Sequence, residues 1–249
     1  MHVPAIAIPA RLQSSRFPRK LLAPLAGKPV LQHVVEQAQQ LEQPTVYVVT
    51  DSDEIAQQAH RWGVSVLMTP SDCPNGTARI AHALAGIEAD FILNIQGDEP
   101  FAPLQTLRRM LDQANHTDAD ILTPIRPIAS AQELDNPNIV KAVCTAEGRA
   151  LYFSRSAVPF CRDVPTEAWP NENIHYAHLG IYGYKRHVLE NYPKLKPTKL
   201  ENAEKLEQLR FLEYGYTIQT VKTEHATAGI DTPEDLRRAE EYLQGHLNR

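Results

Sequence analysis

The chain has 249 residues, of which 43% are hydrophobic and 22% charged, values typical of a globular protein with one large α/β domain or two small ones. Its 25 basic and 30 acidic residues give a net charge of −5, which argues against a nucleic-acid-binding protein. No apolar run reaches the length of a membrane span, and the N-terminus lacks a signal-peptide pattern, so we expect no membrane partner. The three cysteines, Cys73, Cys144 and Cys161, lack C-x-x-C spacing and predict reduced thiols in a cytoplasmic protein.

In the first half of the chain, strand and helix patterns alternate. Short apolar or β-branched runs predict strands at 5–8, 45–50, 64–68, 90–96 and 119–126. Apolar residues at helical spacing predict helices after Pro29 and at 51–62, 77–87 and 103–114. This order predicts a mainly parallel sheet with helices on both faces.

After about residue 127 the pattern changes to strands without long helices between them. We predict strands at 139–145, 150–153, 179–185 and 217–223, and helices at 199–213 and 233–247. No linker marks a boundary, so we interpret residues 1–249 as a single α/β domain with an inserted mixed-β section. No G-x-G-x-x-G follows the first strand, which disfavours a dinucleotide-dependent dehydrogenase.

The loop after the first strand is basic and contains no acidic residue. It carries Arg11, Arg16, Arg19 and Lys20. Four cations repel one another unless an anion lies among them, and ligands of open α/β sheets bind outside the carboxyl ends of strands. The loop therefore predicts a polyphosphate site, with a solvated basic loop as the alternative.

Two separate segments supply candidate metal ligands. Asp98 and Glu99 follow the predicted strand at 90–96, where one or two carboxylates could hold Mg²⁺ together with phosphate oxygens and water; a plain turn is the alternative. Near the C-terminus, Thr232 is placed to cap the last helix, which leaves Asp231 as a second metal carboxylate. The local sequence is equally compatible with Asp231 as the cap itself.

Three further segments could bind a ligand. Asn75 and Gly76 lead into a helix whose free N–H groups could receive an anion or a base carbonyl; a Thr77-capped helix without a ligand is the alternative. Strand alternation places His178 and Tyr182 on one face, either as a binding face or as a subunit contact. Glu207 and Gln208 could bond a polyol or form a solvated helix face.

Several strings in this sequence together resemble one family. They are IPARLQSSRFPRK, GKPVLQHV, NGTARIA, NIQGDEP, NPNIVK, ALYFSRSAVPF, HLGIYGY, LEQLRFLEYG and GIDTPEDL. In this order they resemble the 3-deoxy-manno-octulosonate cytidylyltransferases, also called CMP-Kdo synthetases. The resemblance extends over almost the whole chain. It implies a nucleotide-diphospho-sugar transferase-like α/β fold and a homodimer, with about 130–225 as the sugar-binding and dimerisation section.

The resemblance also implies a reaction and a set of residue roles. CMP would pass from CTP to a 3-deoxy-ulosonic acid with release of pyrophosphate, for lipopolysaccharide or capsule synthesis. Arg11, Lys20 and Asp98 match catalytic positions, and Asp98 and Asp231 match Mg²⁺ ligands. The nucleotide-binding matches are Ala10, Arg11, Lys20, Asn75, Gly76 and Arg79. The sugar-binding matches are Gln96, Arg155, His178, Tyr182, Glu207 and Gln208.

The sequence departs from the family pattern in the basic loop. The family usually has R-L-P-G-K-P-L there, whereas this chain has Arg19 in place of the glycine and Leu21 in place of the second proline. Glycine at that position could adopt a positive φ or approach the phosphates closely. Pro74 and Asn75 replace a usual Gln-Ser pair. The alternative functions are therefore transfer to a related acid such as 8-amino-Kdo, or a catalytically weak nucleotide-binding relative.

Overall fold

The computed structural model describes residues 2–14, 16–226 and 229–247, with side chains as far as residue 244. In the sequence's first part, the strands are β1 (Pro4–Ala10), β2 (Pro24–Leu25), β3 (Lys28–Pro29), β4 (Thr45–Thr50), β5 (Ser65–Met68) and β6 (Phe91–Asn94). The helices there are α1 (Val30–Gln39), α2 (Asp53–Arg61), α3 (Gly76–Ala83) and α4 (Leu104–Ala114). Short 3₁₀ turns cover Lys20–Leu22 and Leu84–Gly86.

Further strands and helices complete the chain. The strands are β7 (Ile121–Pro127), β8 (Lys141–Cys144), β9 (Ala150–Ser154), β10 (Tyr176–His178), β11 (Tyr182–Lys185) and β12 (Ile218–Lys222). The helices are α5 (Ala131–Asp135), α6 (Arg186–Asn191), α7 (Lys199–Glu204), α8 (Gln208–Glu213) and α9 (Pro233–Leu247). The described residues fold into two compact units, the first within residues 1–108 and 227–249 and the second within residues 109–226.

The first unit contains a parallel sheet. β1 pairs with β4 and with β6, and β4 pairs with β5, all in parallel. Ile6, Ala7 and Ile8 of β1, which alternate between the two faces of the strand, are all fully buried, because a central parallel strand is covered on both faces. Helix α1 buries Leu31 and Val34, which lie one turn apart on its apolar face. The sequence-based prediction of a mainly parallel sheet with helices is confirmed.

The second unit contains mixed strand pairing. β7 pairs in parallel with β12 and antiparallel with β10 and β11, while β8 pairs antiparallel with β9 and β10. Phe153, Tyr184 and Phe211 are among its fully buried side chains. Mixed pairing therefore begins with β7, slightly earlier in the chain than the change of pattern predicted after about residue 127.

The strand predicted at 179–185 is correct only from Tyr182 onward, as β11. In the segment before it, the Thr123 hydroxyl lies 3.3 and 2.8 Å from the carbonyl oxygens of Leu179 and Ile181. The helix predicted at 199–213 is two helices, α7 and α8, because Lys205 adopts the left-handed conformation with φ of 54°. No helix within the described residues is long and apolar enough to cross a membrane.

Candidate active site

A cavity of about 220 Å³ lies in the first unit, at the carboxyl ends of β1 and β6 and the N-terminus of α3. All the predicted nucleotide-binding residues line it. The lining comprises Pro9, Ala10, Arg11, Ser14, Lys20, Leu21, Cys73, Pro74, Asn75, Gly76, Arg79, Gln96, Gly97 and Asp98. The cavity therefore brings the basic loop, the α3 N-terminus and a predicted metal carboxylate together.

Lys20 links the two carboxylates that the sequence predicts as metal ligands. Its Nζ donates a hydrogen bond to Asp98 Oδ2 and another, of 2.9 Å, to Asp231 Oδ1. Burial lowers the pKa of Lys20, but attraction to the two carboxylates outweighs it, so the pKa is raised above its ordinary value. Arg16 Nη2 also lies 3.0 Å from Asp231 Oδ1.

The Asp98 and Asp231 carboxylates fit a divalent cation that takes its other ligands from phosphate and water. Both already contact one cationic atom, Lys20 Nζ, so their oxygens converge on a common point. Within the described residues, no group of three or more His, Cys, Asp or Glu side chains is arranged to hold a metal. Mg²⁺ is commonly bound by one or two protein carboxylates plus substrate phosphates, which matches this donor set.

Glu99 is a half-buried acid beside this pair. Its Oε2 is buried and has no hydrogen-bond partner among the described residues. Burial, with added repulsion from Asp98 and Asp231, raises the pKa of Glu99 to about 8. Glu99 therefore carries its proton at neutral pH, a property that its position in the sequence does not reveal.

Helix α3 begins at Gly76 and is capped by Asn75. Asn75 Oδ1 accepts a 2.8 Å hydrogen bond from the Ala78 N–H, so the cap is Asn75, and the alternative of a Thr77 cap is wrong. Gly76 lies against Gln96: a Cβ at Gly76 would be 3.0 Å from Gln96 Oε1. The absence of a side chain at Gly76 therefore lets α3 approach the Gln96 amide.

Arg79, from the same helix, is fixed by hydrogen bonds to two other residues of the protein. Its side chain is almost fully buried and donates hydrogen bonds to Thr69 Oγ1 (2.6 Å) and Asp51 Oδ2 (3.2 Å). These two contacts fix the guanidinium at the cavity wall. They also compensate its charge, since Asp51 forms an ion pair with it.

Thr232, not Asp231, caps the C-terminal helix α9. Thr232 Oγ1 lies 3.2 Å from the Asp235 N–H and accepts its hydrogen bond, and Asp235 Oδ2 accepts from the Thr232 N–H at 2.9 Å. This reciprocal cap leaves the Asp231 carboxylate for Lys20. The two alternatives that the sequence left open are thus resolved in favour of Thr232.

Arg19 adopts the backbone conformation that glycine favours, and its side chain does not line the cavity. Its φ is 59° and its ψ 23°, in the left-handed region. The guanidinium pairs with Glu54, with Nη1 3.0 Å from Oε2. Arg19 therefore occupies a backbone conformation that glycine adopts without steric cost, and its side chain forms an exposed ion pair.

Five of the six predicted sugar-binding residues lie in the second unit; Gln96 lies in the first. The His178 and Tyr182 rings lie 5.4 Å apart, and Tyr182 stacks on Tyr184 at 5.7 Å. His178 Nε2 lies 2.9 Å from Thr123 Oγ1. Burial lowers the pKa of His178 to about 3, so the imidazole is neutral at neutral pH.

The other three second-unit residues lie around the break between α7 and α8. Glu207 is the residue before α8, and Gln208 is its first residue. Gln208 is 3% exposed, and its Nε2 has no hydrogen-bond partner among the described residues. Arg155 Nε donates to the Glu204 carbonyl at the end of α7.

Comparisons with known proteins identify the family. A family model described as Cytidylyltransferase matches residues 5–221. A protein of Elusimicrobium minutum named 3-deoxy-manno-octulosonate cytidylyltransferase is 40% identical over 242 residues, which cover 97% of this chain and 98% of that protein. The chain belongs to the 3-deoxy-manno-octulosonate cytidylyltransferase family.

Solved structures agree with this membership. A CMP:2-keto-3-deoxy-manno-octonic acid synthetase, solved in complex with CTP, matches with a TM-score of 0.91 and 36% identity, over 98% of this chain and 99% of its own. A cytidylyltransferase from Leptospira borgpetersenii matches with a TM-score of 0.66 and 18% identity, over 98% of this chain and 88% of its own. The second match shows a shared nucleotidyltransferase-like fold only.

Proposed function

We propose that this enzyme transfers CMP from CTP to the anomeric hydroxyl of 3-deoxy-D-manno-octulosonate (Kdo) and releases pyrophosphate. The observation that carries the proposal is the cavity in which Arg11 and Lys20 of the basic loop meet Asp98, with Asp231 bonded to Lys20, in a chain whose relatives bear this enzyme name. The product would be an activated sugar for lipopolysaccharide or capsule synthesis. The alternatives, a related sugar acid or a catalytically weak relative, are not favoured.

The triphosphate of CTP would bind where the cationic side chains line the cavity. Arg11 and Lys20 supply positive charge, and Ala10 supplies the backbone end of β1. Asn75 and Gly76 place the α3 N-terminus beside them, and helix N-termini favour anions and carbonyl oxygens. Arg79, held by Asp51 and Thr69, would present a fixed edge of the pocket to the nucleoside.

The reaction needs positioning and charge neutralisation more than covalent help from the protein. The anomeric oxygen forms a bond to the α-phosphorus, the bond to the bridging oxygen breaks, and pyrophosphate leaves in line. Arg11 and Lys20 would balance the charge on the phosphoryl oxygens. Lys20 can exchange its bonds to Asp98 and Asp231 for phosphate oxygens.

Asp98 and Asp231 would hold Mg²⁺. The support is the donor set described above, in which both carboxylates converge on one cation. When bound, the ion would polarise the α-phosphate and help to orient the nucleophile. Protonated Glu99 would limit repulsion around the two carboxylates.

Gln96, Arg155, His178, Tyr182, Glu207 and Gln208 would bind the sugar acid. The Thr123 hydroxyl donates a hydrogen bond to the Ile181 carbonyl, so it accepts one from His178. The neutral His178 ring would therefore carry its hydrogen on Nε2 and keep Nδ1 as an acceptor. Neutral His178 suits a sugar hydroxyl, whereas the guanidinium of Arg155 suits the carboxylate.

A homodimer in the cytoplasm is the assembly and location that we propose. Two apolar side chains of the second unit are exposed: Phe160 has a relative solvent exposure of 75% and Ile174 of 46%. Phe160 also packs edge-on against Trp169. Exposed aromatic and aliphatic groups of this kind are typical of subunit contacts. Light scattering of wild-type protein and Phe160→Ser would test the dimer.

The cysteines support the proposed location. Cys73, Cys144 and Cys161 are free, as expected for a reducing compartment.

A substrate panel tests the reaction itself. CTP, UTP and ATP are each combined with Kdo, 8-amino-Kdo or a nonulosonic acid, and nucleotide-sugar formation is followed by phosphorus NMR. We expect the highest kcat/KM for CTP with Kdo. Preference for another acid by more than about tenfold would reassign the sugar, and preference for another nucleotide would overturn the proposal.

A further inference from the structure

The guanidinium of Arg155 is held in the second unit by main-chain carbonyl oxygens. Nε donates to the Glu204 carbonyl at 2.7 Å, Nη1 to the Pro137 carbonyl at 2.9 Å, and Nη2 to the Lys205 carbonyl at 3.5 Å. Carbonyl oxygens orient a guanidinium without neutralising it. Within the described residues Arg155 forms no ion pair, so its positive charge remains available to an anion.

The same contacts leave a defined pair of donors. A guanidinium has five N–H groups, and three of those of Arg155 are used on carbonyls. One N–H remains on Nη1 and one on Nη2. Two N–H groups on the terminal nitrogens are the geometry that binds a carboxylate end-on through two parallel hydrogen bonds.

Glu204 fixes Arg155 from both its main chain and its side chain. Glu204 Oε2 accepts a 2.9 Å hydrogen bond from the Arg155 N–H, and Oε1 accepts a 2.7 Å hydrogen bond from the hydroxyl of the almost fully buried Ser154. The Glu204 carbonyl, in turn, holds Arg155 Nε. Two side-chain bonds and one main-chain bond therefore join the end of β9 to the end of α7.

The end of α7 is itself fixed by the backbone. Lys205 adopts the left-handed conformation, which ends the helix and exposes the Glu204 and Lys205 carbonyls to Arg155. Glu207 and Gln208 follow within three residues. The end of α7, at Glu204 and Lys205, therefore both orients Arg155 and precedes the start of α8.

We propose that Glu204 is a positioning residue for the acceptor sugar: it aims the two remaining N–H groups of Arg155 at the sugar carboxylate. This inference rests on the proposed function, because it assumes that a sugar acid is the acceptor. Glu204 itself does not touch the sugar. Its loss should weaken binding of the sugar acid and leave CTP binding unchanged.

The first test compares steady-state constants. Glu204→Ala removes both carboxylate bonds, and we expect the KM for Kdo to rise about tenfold with the KM for CTP unchanged. Glu204→Gln should recover most of the loss, because its amide oxygen can still accept from the Arg155 N–H. Glu190→Gln, a surface acid paired with Arg186, is the matched control and should behave as wild type.

The second test separates positioning from general weakening of the fold. The methyl ester of Kdo lacks the carboxylate charge and is measured as a competitive inhibitor against Kdo itself. In wild type the ester should bind much more weakly than the acid, whereas in Glu204→Ala the two should bind nearly equally. A purely structural role would weaken both ligands by the same factor and would overturn the proposal.

Ser154→Ala provides an independent variant should Glu204→Ala fail to fold. It removes one of the two partners of the Glu204 carboxylate, and we expect about a threefold rise in the KM for Kdo alone. An unchanged KM for Kdo in Ser154→Ala, and in Glu204→Ala where that variant folds, would overturn the proposal. If wild type formed no nucleotide sugar from any acid in the panel, the proposed function would fail instead.

Discussion

Lys20 Nζ lies 2.9 Å from Asp231 Oδ1 and donates a second hydrogen bond to Asp98, so one ammonium joins the two predicted metal carboxylates. These carboxylates come from the segment after β6 and from the segment before α9. Without a cation between them they would repel each other. The same relationship places the proposed phosphate-binding residue and the proposed metal ligands in one small space.

The first prediction concerns Asp98, the proposed metal ligand at the cavity wall. Asp98→Asn should lower kcat by about 100-fold or more, because one of the two proposed metal carboxylates is lost. Circular dichroism should show an unchanged fold, since Asp98 lies at the cavity. Steady-state kinetics at saturating Mg²⁺ check the result. Glu234→Gln, an exposed acid in the first turn of α9, is the control, and equal activity of both variants would remove Asp98 from the metal site.

The second prediction concerns the ammonium that links the carboxylates. Lys20→Gln should lower the stability of the EDTA-treated protein by about 1–2 kcal/mol, a modest figure because Asp231 is partly exposed. Added Mg²⁺ should then stabilise Lys20→Gln more than wild type, since no ammonium must be displaced. Thermal unfolding with and without Mg²⁺ measures both effects.

Lys28→Gln serves as the matched control for Lys20→Gln, because it removes a surface lysine paired with Glu36. Its Mg²⁺ response should equal that of wild type. A smaller Mg²⁺ stabilisation in Lys20→Gln than in wild type would show that Lys20 does not occupy the position of the metal.

The third prediction concerns the glycine-like position in the basic loop. Arg19→Gly should leave the KM for CTP within about twofold of wild type, because the Arg19 side chain pairs with Glu54 and does not line the cavity. The variant should fold equally well, since glycine adopts a positive φ without steric cost. A large rise in the KM for CTP would mean that Arg19 turns from Glu54 to the phosphates when nucleotide binds.

The fourth prediction concerns pH. The pKa of Glu99 is about 8 in the folded protein and near 4.5 when unfolded, so between these values only the folded state holds the proton. The free energy of unfolding should therefore fall as pH rises through this window, by at most about 1.4 kcal/mol per pH unit from this residue. Urea unfolding in EDTA at pH 5 and pH 8 measures the slope. Glu99→Gln should flatten it; an identical slope in the variant would assign the pH dependence to other groups.

The sequence was sufficient to predict the parallel first half and the main residues of the cavity. Apolar runs mark buried strands directly, and Arg11, Lys20 and Asp98 each follow such a run, so topology alone places them at one sheet edge. The change to mixed pairing after about residue 127 was also visible. The residue roles themselves stay predictions.

The features that the sequence did not reveal are set by tertiary contacts. The segment from 199 to 213 contains neither glycine nor proline, so nothing in it signals the left-handed Lys205 that separates α7 from α8. The segment just before Tyr182 is bonded through its carbonyl oxygens to the hydroxyl of Thr123, which is distant in sequence. The protonated state of Glu99 depends on burial, which only the folded arrangement defines.

The most direct measurement is pyrophosphate release by purified protein with CTP, Kdo and Mg²⁺, each omitted in turn, followed by EDTA and renewed Mg²⁺. We expect release only when all three are present, abolished by EDTA and restored by Mg²⁺, with one CMP-Kdo formed per pyrophosphate. No release from the complete mixture, with CTP still bound by calorimetry, would contradict the proposed function.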